Sequence, residues 1–260
     1  MSDLLNRLFS VQGKIALVTG GTSGIGLMIA RGLVEAGVRT YIVARNQKLA
    51  EEVASELSEK GYCKAIVSDL KTVDGVNAIV AKFAEQETQL DILVNNAGVL
   101  HEGPIEEFTE DLWNETFDIN LKPAFFLTQK MLPYLRASAT QENPARVINI
   151  SSADGTMAAS REYYAYAATK AGVNHITRAL AKHLAKDFIN VNAIAPGLFP
   201  SSMTARFPKE AQEMAASMIP RLRFGSEEDI VGSVLYLSSR AGAYVTAAVV
   251  AVDGGVAGCA

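Results

Sequence analysis

Three tyrosines and one lysine crowd the stretch Glu162-Tyr163-Tyr164-Ala165-Tyr166-Ala167-Ala168-Thr169-Lys170. A phenol titrates near pH 10 and is a poor acid or base at neutrality. An ammonium beside it favours the phenolate and brings its proton into a useful range. Residues four apart on a helix share a face, so Tyr166 and Lys170 are set as neighbours. Tyr163 is two turns from Lys170, and Tyr164 points elsewhere. The bland alternative is a solvated helix face carrying the same residue types. Just upstream, Asn149-Ile150-Ser151-Ser152 offers two hydroxyls, which alternation along a strand would send to opposite faces. The segment between, Ala153-Asp154-Gly155-Thr156-Met157-Ala158-Ala159-Ser160-Arg161, reads as a loop.

A second cluster speaks of phosphate. The apolar run 14–19 leads directly into Thr19-Gly20-Gly21-Thr22-Ser23-Gly24-Ile25-Gly26, and a helix pattern follows. Gly20, Gly24 and Gly26 allow a sharp turn and close backbone approach. Thr22, Ser23 and Ile25 stand where N–H groups at a helix start would face an anion. The spacing is G-x-x-x-G-x-G rather than G-x-G-x-x-G, and a purely structural turn is the alternative. At the end of the second apolar run, where a carboxylate would bind the ribose 2′-hydroxyl of NAD, the chain has Arg45. Its planar fork suits a 2′-phosphate, so the expected cofactor is NADP(H); a solvated surface arginine is the other reading. Asp69 and Leu70 end the third run, where Asp69 either bonds an adenine amino group or merely starts a loop. Asn96, Ala97 and Gly98 end the fourth, small and polar where a cofactor would approach.

Elements that position these groups are legible as apolar runs at 14–19, 40–45, 64–69, 91–96, 146–151, 189–195 and 249–253, separated by segments with i, i+3, i+4 apolar spacing. Near-continuous apolar strands are covered on both faces. Strand–helix alternation predicts a single-domain α/β fold, a doubly wound seven-stranded parallel sheet with helices on both sides. No linker divides residues 1–260; the nucleotide half is expected at about 10–150, with substrate loops at 153–162 and 197–225. The second loop carries Leu198, Phe199, Met203, Phe207, Met214 and Met218, read either as a lid over an apolar substrate or as core packing of a short helix. Long helices are expected at roughly 111–137 and 163–186, with Phe125, Phe126, Leu127, Val173, Ile176 and Leu180 offering apolar surface.

The chain has 260 residues, 49% of them hydrophobic, and a net charge of −4 without a basic stripe, so nothing favours nucleic acid as a partner and a metabolite is expected instead. Cys63 and Cys259 have no ligand-spaced neighbours, so no metal site is expected, and reduced thiols fit a cytoplasmic protein. No signal peptide or membrane span is read. His175 and His183 read as surface or interface residues; His101 is a candidate for the pocket lining.

Taken together, TGGTSGIG after the first strand, NNAG after the fourth, Asn120, NISS, YAATK and IAPG resemble, in order and over essentially the whole chain, the short-chain dehydrogenase/reductase family. The resemblance implies a Rossmann fold and hydride transfer between a nicotinamide and a carbonyl or alcohol. It also implies a catalytic set of Asn120, Ser152, Tyr166 and Lys170. Tyr166 would donate a proton to the carbonyl oxygen, and Ser152 would hydrogen-bond that oxygen. Lys170 would lower the phenol pKa and, with Tyr166, hold the nicotinamide ribose, while Asn120 would support a proton-relaying water chain. Ser152 takes the serine role because it opens the S-x-x-G turn Ser152-Ala153-Asp154-Gly155. Pro196, Gly197 and Ser201 resemble the segment that closes over the carboxamide and pyrophosphate. One departure stands out: the serine–tyrosine interval is fourteen residues here against the family's thirteen, which leaves the substrate loop open.

ENPARVINISS, that interval and APGLFPSSMT are most similar to the 3-oxoacyl-thioester reductases, the rhamnolipid-associated branch among them. Polyketide, steroid, terpene and sugar-derived ketones are alternatives. A non-catalytic nucleotide sensor or scaffold is the reading from another class. The family pattern further implies a homo-oligomer, tetramer or dimer.

Overall fold

In the computed structural model, residues 3–159, 161–200 and 209–259 are described. Seven strands alternate with helices: α1 Asp3–Phe9, β1 Ile15–Thr19, α2 Gly24–Glu35, β2 Arg39–Ala44, α3 Gln47–Ser58, β3 Cys63–Val67, α4 Val73–Ala84 and β4 Ile92–Asn95. Then come α5 Glu110–Asn120, α6 Lys122–Ser138, β5 Ala145–Ile150, α7 Tyr164–Leu184, β6 Ile189–Pro196, α8 Lys209–Ser217, α9 Glu227–Ser238 and β7 Val249–Val252. All seven apolar runs of the sequence are strands, shifted by a residue or two at their ends. They form one sheet in the order β3-β2-β1-β4-β5-β6-β7, parallel throughout.

Alternation within each strand builds two hydrophobic layers. Leu17, Leu93, Val147 and Val191 face a core completed by Phe83 of α4, Met131 of α6 and Leu184 of α7. Ala16, Val18, Ile92, Val94, Ile148 and Ile194 face the opposite layer, closed by Leu33 of α2 and Val234 of α9. This two-sided burial explains why the strands read as unbroken apolar runs. A buried cation anchors the far end of the sheet. Arg146, 1% exposed, donates to the carbonyls of Pro144, Leu237 and Ser239, so its guanidinium closes the C-terminal end of α9.

One expectation is corrected. The helix expected over 111–137 is two helices, α5 and α6, interrupted at Leu121. The physical reason lies in Lys122-Pro123: Pro123 has no N–H and suits a helix start, so the chain ends one helix and begins another. Asn120 is thereby the last residue of α5, at the break. Similarly, α7 starts at Tyr164, and Tyr163 is its N-cap residue with no capping side chain.

Candidate active site

The C-terminal ends of β1, β4, β5 and β6 lie side by side along one edge of the sheet. The strand order reverses direction between β1 and β4, the place where open α/β sheets bind ligands. After β1 the chain turns through Gly20 (φ 66°) and Gly24 (φ 52°), conformations natural to glycine. A Cβ on Gly26 would lie 2.2 Å from the Gly20 carbonyl oxygen, and one on Gly20 would lie 3.1 Å from Ala97 Cα. The turn is therefore a cradle closed to any side chain at those positions. Ser23, the N-cap of α2, makes no side-chain cap, and the first turn holds no acidic residue, leaving its positive dipole end unopposed. Thr22, Ala44, Arg45 and Asn46 line an open pocket beside this turn. Arg45 is exposed, while Asn46 caps α3 through the Leu49 N–H.

Thr19, which sequence reasoning missed, ties this turn to the one after β4. Its hydroxyl donates to the Val94 carbonyl and accepts from the N–H groups of Asn96 (2.9 Å) and Ala97 (3.0 Å). Asn96 Nδ2 donates in return to the Thr19 carbonyl. Such a residue leaves little signal in sequence, because a strand-ending threonine is ordinary. Of the other nucleotide-side candidates, Asp69 is exposed and accepts from the Lys71 N–H, and the Leu70 side chain packs into the core. Pro196 ends β6, and a Cβ on Gly197 would press on Asp253 Cα at 2.8 Å. Ser201, Met203 and Phe207 lie outside the described residues.

At the end of β5, Ser151 and Ser152 diverge as expected: Ser151 donates to the Lys170 carbonyl, whereas Ser152 caps the short turn 153–155. Ser152 lies against the Tyr166 phenol. Its hydroxyl donates to Asp154 Oδ2 (3.3 Å) and accepts from the Asp154 N–H (3.2 Å). The Tyr166 ring is partly exposed, yet its hydroxyl sits deep enough that burial pushes the phenol up to about 12, with Ser152 pulling down and Asp154 adding to the rise. Lys170 is 4% exposed, and burial pushes its amine down to about 8. Its Nζ lies 5.5 Å from the Tyr166 ring centroid and donates to the Ile150 carbonyl at 2.8 Å. The expected neighbours are together, but in this arrangement burial outweighs the lysine, and the phenol pKa moves up rather than down. Two positions hold the lysine's turn of α7 there: Gly155, whose Cβ would lie 2.7 Å from the Lys170 carbonyl carbon, and Asn174, which donates to the Gly155 carbonyl; Gly98 lies nearby, a Cβ on it standing in ordinary contact with Lys170 Nζ at 3.7 Å.

Asn120, 4% exposed, clasps the backbone of Val99: Oδ1 accepts its N–H (2.8 Å) and Nδ2 donates to its carbonyl (2.9 Å) and to Thr169 Oγ1 (3.3 Å). The side chain is thus spent on fixing the loop after β4 against α7. That loop meets the loop 153–162 through a Glu102–Arg161 ion pair at 2.8 Å and a Gly103 N–H bond to the Glu162 carbonyl. Tyr163 stands edge-on to Tyr166, with ring centroids 6.2 Å apart, and lines the same side. Tyr164 is turned away onto Phe108, and His175 and His183 are exposed. His101 is engaged by Glu115 of α5 at 3.1 Å. Beyond β6, Phe199 is buried, whereas Met214 and Met218 on and after α8 are 68% and 71% exposed, contrary to the core-packing alternative. No helix among the described residues is long and apolar enough to cross a membrane.

Comparison with known proteins agrees with this fold. The family model for short chain dehydrogenase matches residues 14–212. A rhamnolipids biosynthesis 3-oxoacyl-[acyl-carrier-protein] reductase of Pseudomonas aeruginosa is 43% identical over 253 residues, covering 96% of this chain and 99% of that protein. A 2-dehydro-3-deoxy-D-gluconate 5-dehydrogenase of Escherichia coli is 35% identical over 95% of this chain and 96% of its own length. Among solved structures, the Pseudomonas aeruginosa RhlG/NADP active-site complex superposes with a TM-score of 0.94 at 43% identity, over 96% of this chain and 99% of that one. The chain belongs to the short-chain dehydrogenase family.

Proposed function

We propose that the protein is an NADP(H)-dependent oxidoreductase that interconverts a ketone and a secondary alcohol, with a 3-oxoacyl thioester as the substrate class. The observation that carries this reading is the meeting of the Ser152 hydroxyl, the Tyr166 phenol and the buried Lys170 at the sheet edge that also bears the glycine cradle. The cradle of Gly20, Gly24 and Gly26, the uncapped start of α2 at Thr22, Ser23 and Ile25, and Arg45 fit a dinucleotide carrying a 2′-phosphate. Asp69, Leu70, Asn96, Ala97, Gly98, Pro196, Gly197 and Ser201 would border its remaining length. A bound nicotinamide supplies the hydride.

The chain's own residues do the rest. Ser152 and Tyr166 hydrogen-bond the substrate oxygen, which orients the carbonyl and stabilises the charge that grows on it. Tyr166 is protonated at neutral pH and gives its proton to that oxygen in reduction; in oxidation it must first lose it. Lys170, with an amine near 8, is the group that returns a proton to the phenol side and holds the ribose. Asn120 keeps the loop after β4 in register with α7, and so keeps the relay's walls in place.

The thioester class rests on the Pseudomonas aeruginosa relative, whose name states that chemistry. A sugar-derived ketone is the second reading, favoured by the Escherichia coli relative. Consumption of NADPH in the presence of a 3-oxoacyl thioester, compared with keto-sugar acids, tests both; NADPH binding without turnover of any ketone would instead support a nucleotide sensor. The whole chain is read as one domain, with substrate choice in 153–162 and 197–225. Exposed Trp113 and Phe125 on α5 and α6 support a homo-oligomer built through those helices. The free thiols of Cys63 and Cys259 fit the reducing cytoplasm.

A further inference from the structure

The carboxylate of Asp154 is used by nothing in the reaction as described, yet it is half-buried in the turn that presents Ser152. It accepts the Ser152 hydroxyl proton on Oδ2, while the Asp154 N–H donates to a lone pair of Ser152 Oγ. A serine hydroxyl has one proton. Before substrate enters, Asp154 holds it and Ser152 meets the Tyr166 phenol only as an acceptor, so the phenol keeps its proton; a carbonyl oxygen that enters between them then takes both the Ser152 and the Tyr166 hydrogen bonds. We propose that Asp154 is a positioning residue that, through Ser152, holds the proton on Tyr166 and so sets the centre for carbonyl reduction at neutral and mildly alkaline pH. This rests on the oxidoreductase reading and deepens it.

The surroundings support a role for charge. Tyr166 and Tyr163 face Asp154 from the α7 side; Arg161 and Glu102 stand at Tyr163 and oppose one another as an ion pair. Lys170 is turned to the Ile150 carbonyl. No cation is thus interposed between the carboxylate and the phenol among the described residues. Burial holds the Asp154 carboxyl above its ordinary range, and the Ser152 hydrogen bond opposes that rise. A negative charge on Asp154 disfavours the Tyr166 phenolate. In the reductive direction this keeps the acid loaded; in alcohol oxidation it delays the ionisation that the reaction needs.

The test uses Asp154→Asn, which preserves size and hydrogen-bonding capacity, and Asp154→Glu, which restores charge. The tyrosinate absorbance that Tyr166→Phe removes reports the phenol titration in the protein without any substrate. Asp154→Asn is expected to lower that midpoint by half a pH unit or more, and Asp154→Glu to return it toward the parent. The alkaline limb of NADP-dependent alcohol oxidation is expected to shift by the same amount, with the KM for NADP changed less than twofold. An unmoved phenol midpoint in Asp154→Asn, with kcat lowered evenly across pH, would assign Asp154 a structural role and overturn the proposal. Absence of alcohol oxidation in the parent, with the phenol midpoint still shifting, would overturn the oxidoreductase reading while leaving the electrostatic link intact.

Discussion

Tyr166 and Lys170 illustrate what spacing reveals and what it leaves out. An i, i+4 pair on a helix had to bring the two side chains to one face, and it does. The direction of the ammonium was not legible, because its partner, the Ile150 carbonyl, comes from a strand twenty residues away in sequence. Burial also acts on both groups in opposite senses, raising the neutral phenol's pKa and lowering the amine's. The amine sits near 8 when folded and 10.5 when free, so between these values the unfolded chain binds more protons. Stability from this group therefore rises with pH from about 8 to 10.5, and its penalty is fully present below 8. Lys170→Met is expected to flatten the gain in chemical-unfolding midpoint between pH 8 and 10.5. Lys14, lowered to about 8 by burial as well, leaves a residual slope of the same sign. Arg45 is the other residue-scale test. Arg45→Asp is expected to lower the ratio of NADPH to NADH efficiency at least tenfold, read as kcat/KM for each cofactor, since a carboxylate repels a 2′-phosphate.

Between residues and fold stand the turns, and here sequence reading was less complete. The glycine turn after β1 was legible because Gly20, Gly24 and Gly26 meet a strand end and a helix start in order. Its link to the turn after β4 through Thr19 was not, because one hydroxyl serving two N–H groups has no sequence pattern. Asp154 stands two residues after Ser152 in the serine turn, and an acid at that spacing is a signal that the S-x-x-G pattern does not carry. The break between α5 and α6 is written in Lys122-Pro123, although apolar periodicity runs across it. It matters because Asn120 at the break clasps Val99. Asn120→Ala would strand a part-buried N–H and carbonyl, at a cost of about 1–3 kcal/mol for each group left unpaired. A lowered denaturant midpoint with an unchanged slope would register it. Gly26→Ala forces a methyl against the Gly20 carbonyl. It is expected to weaken NADPH binding at least tenfold in calorimetry, about 1.4 kcal/mol.

The molecule as a whole is one sheet whose C-terminal edge collects the candidate groups among the described residues. Parallel order and two covered faces followed from strands that are apolar without alternation, so the architecture was readable in advance. What was not readable is how far residues 153–162 and the loop after β4 lean on one another, because Glu102 and Arg161 are distant in sequence and ordinary in type. If the chain is one domain around one dinucleotide, heating should give a single transition that NADPH raises. At a hundredfold excess over Kd the added stability is about 2.7 kcal/mol. The most direct test of the account is turnover by Tyr166→Phe, a change of one hydroxyl. With NADPH and a 3-oxoacyl thioester, kcat is expected to fall about a thousandfold, within the range that acid catalysis supplies, with NADPH affinity within a few-fold of the parent. Turnover by Tyr166→Phe at the parent's rate would contradict it.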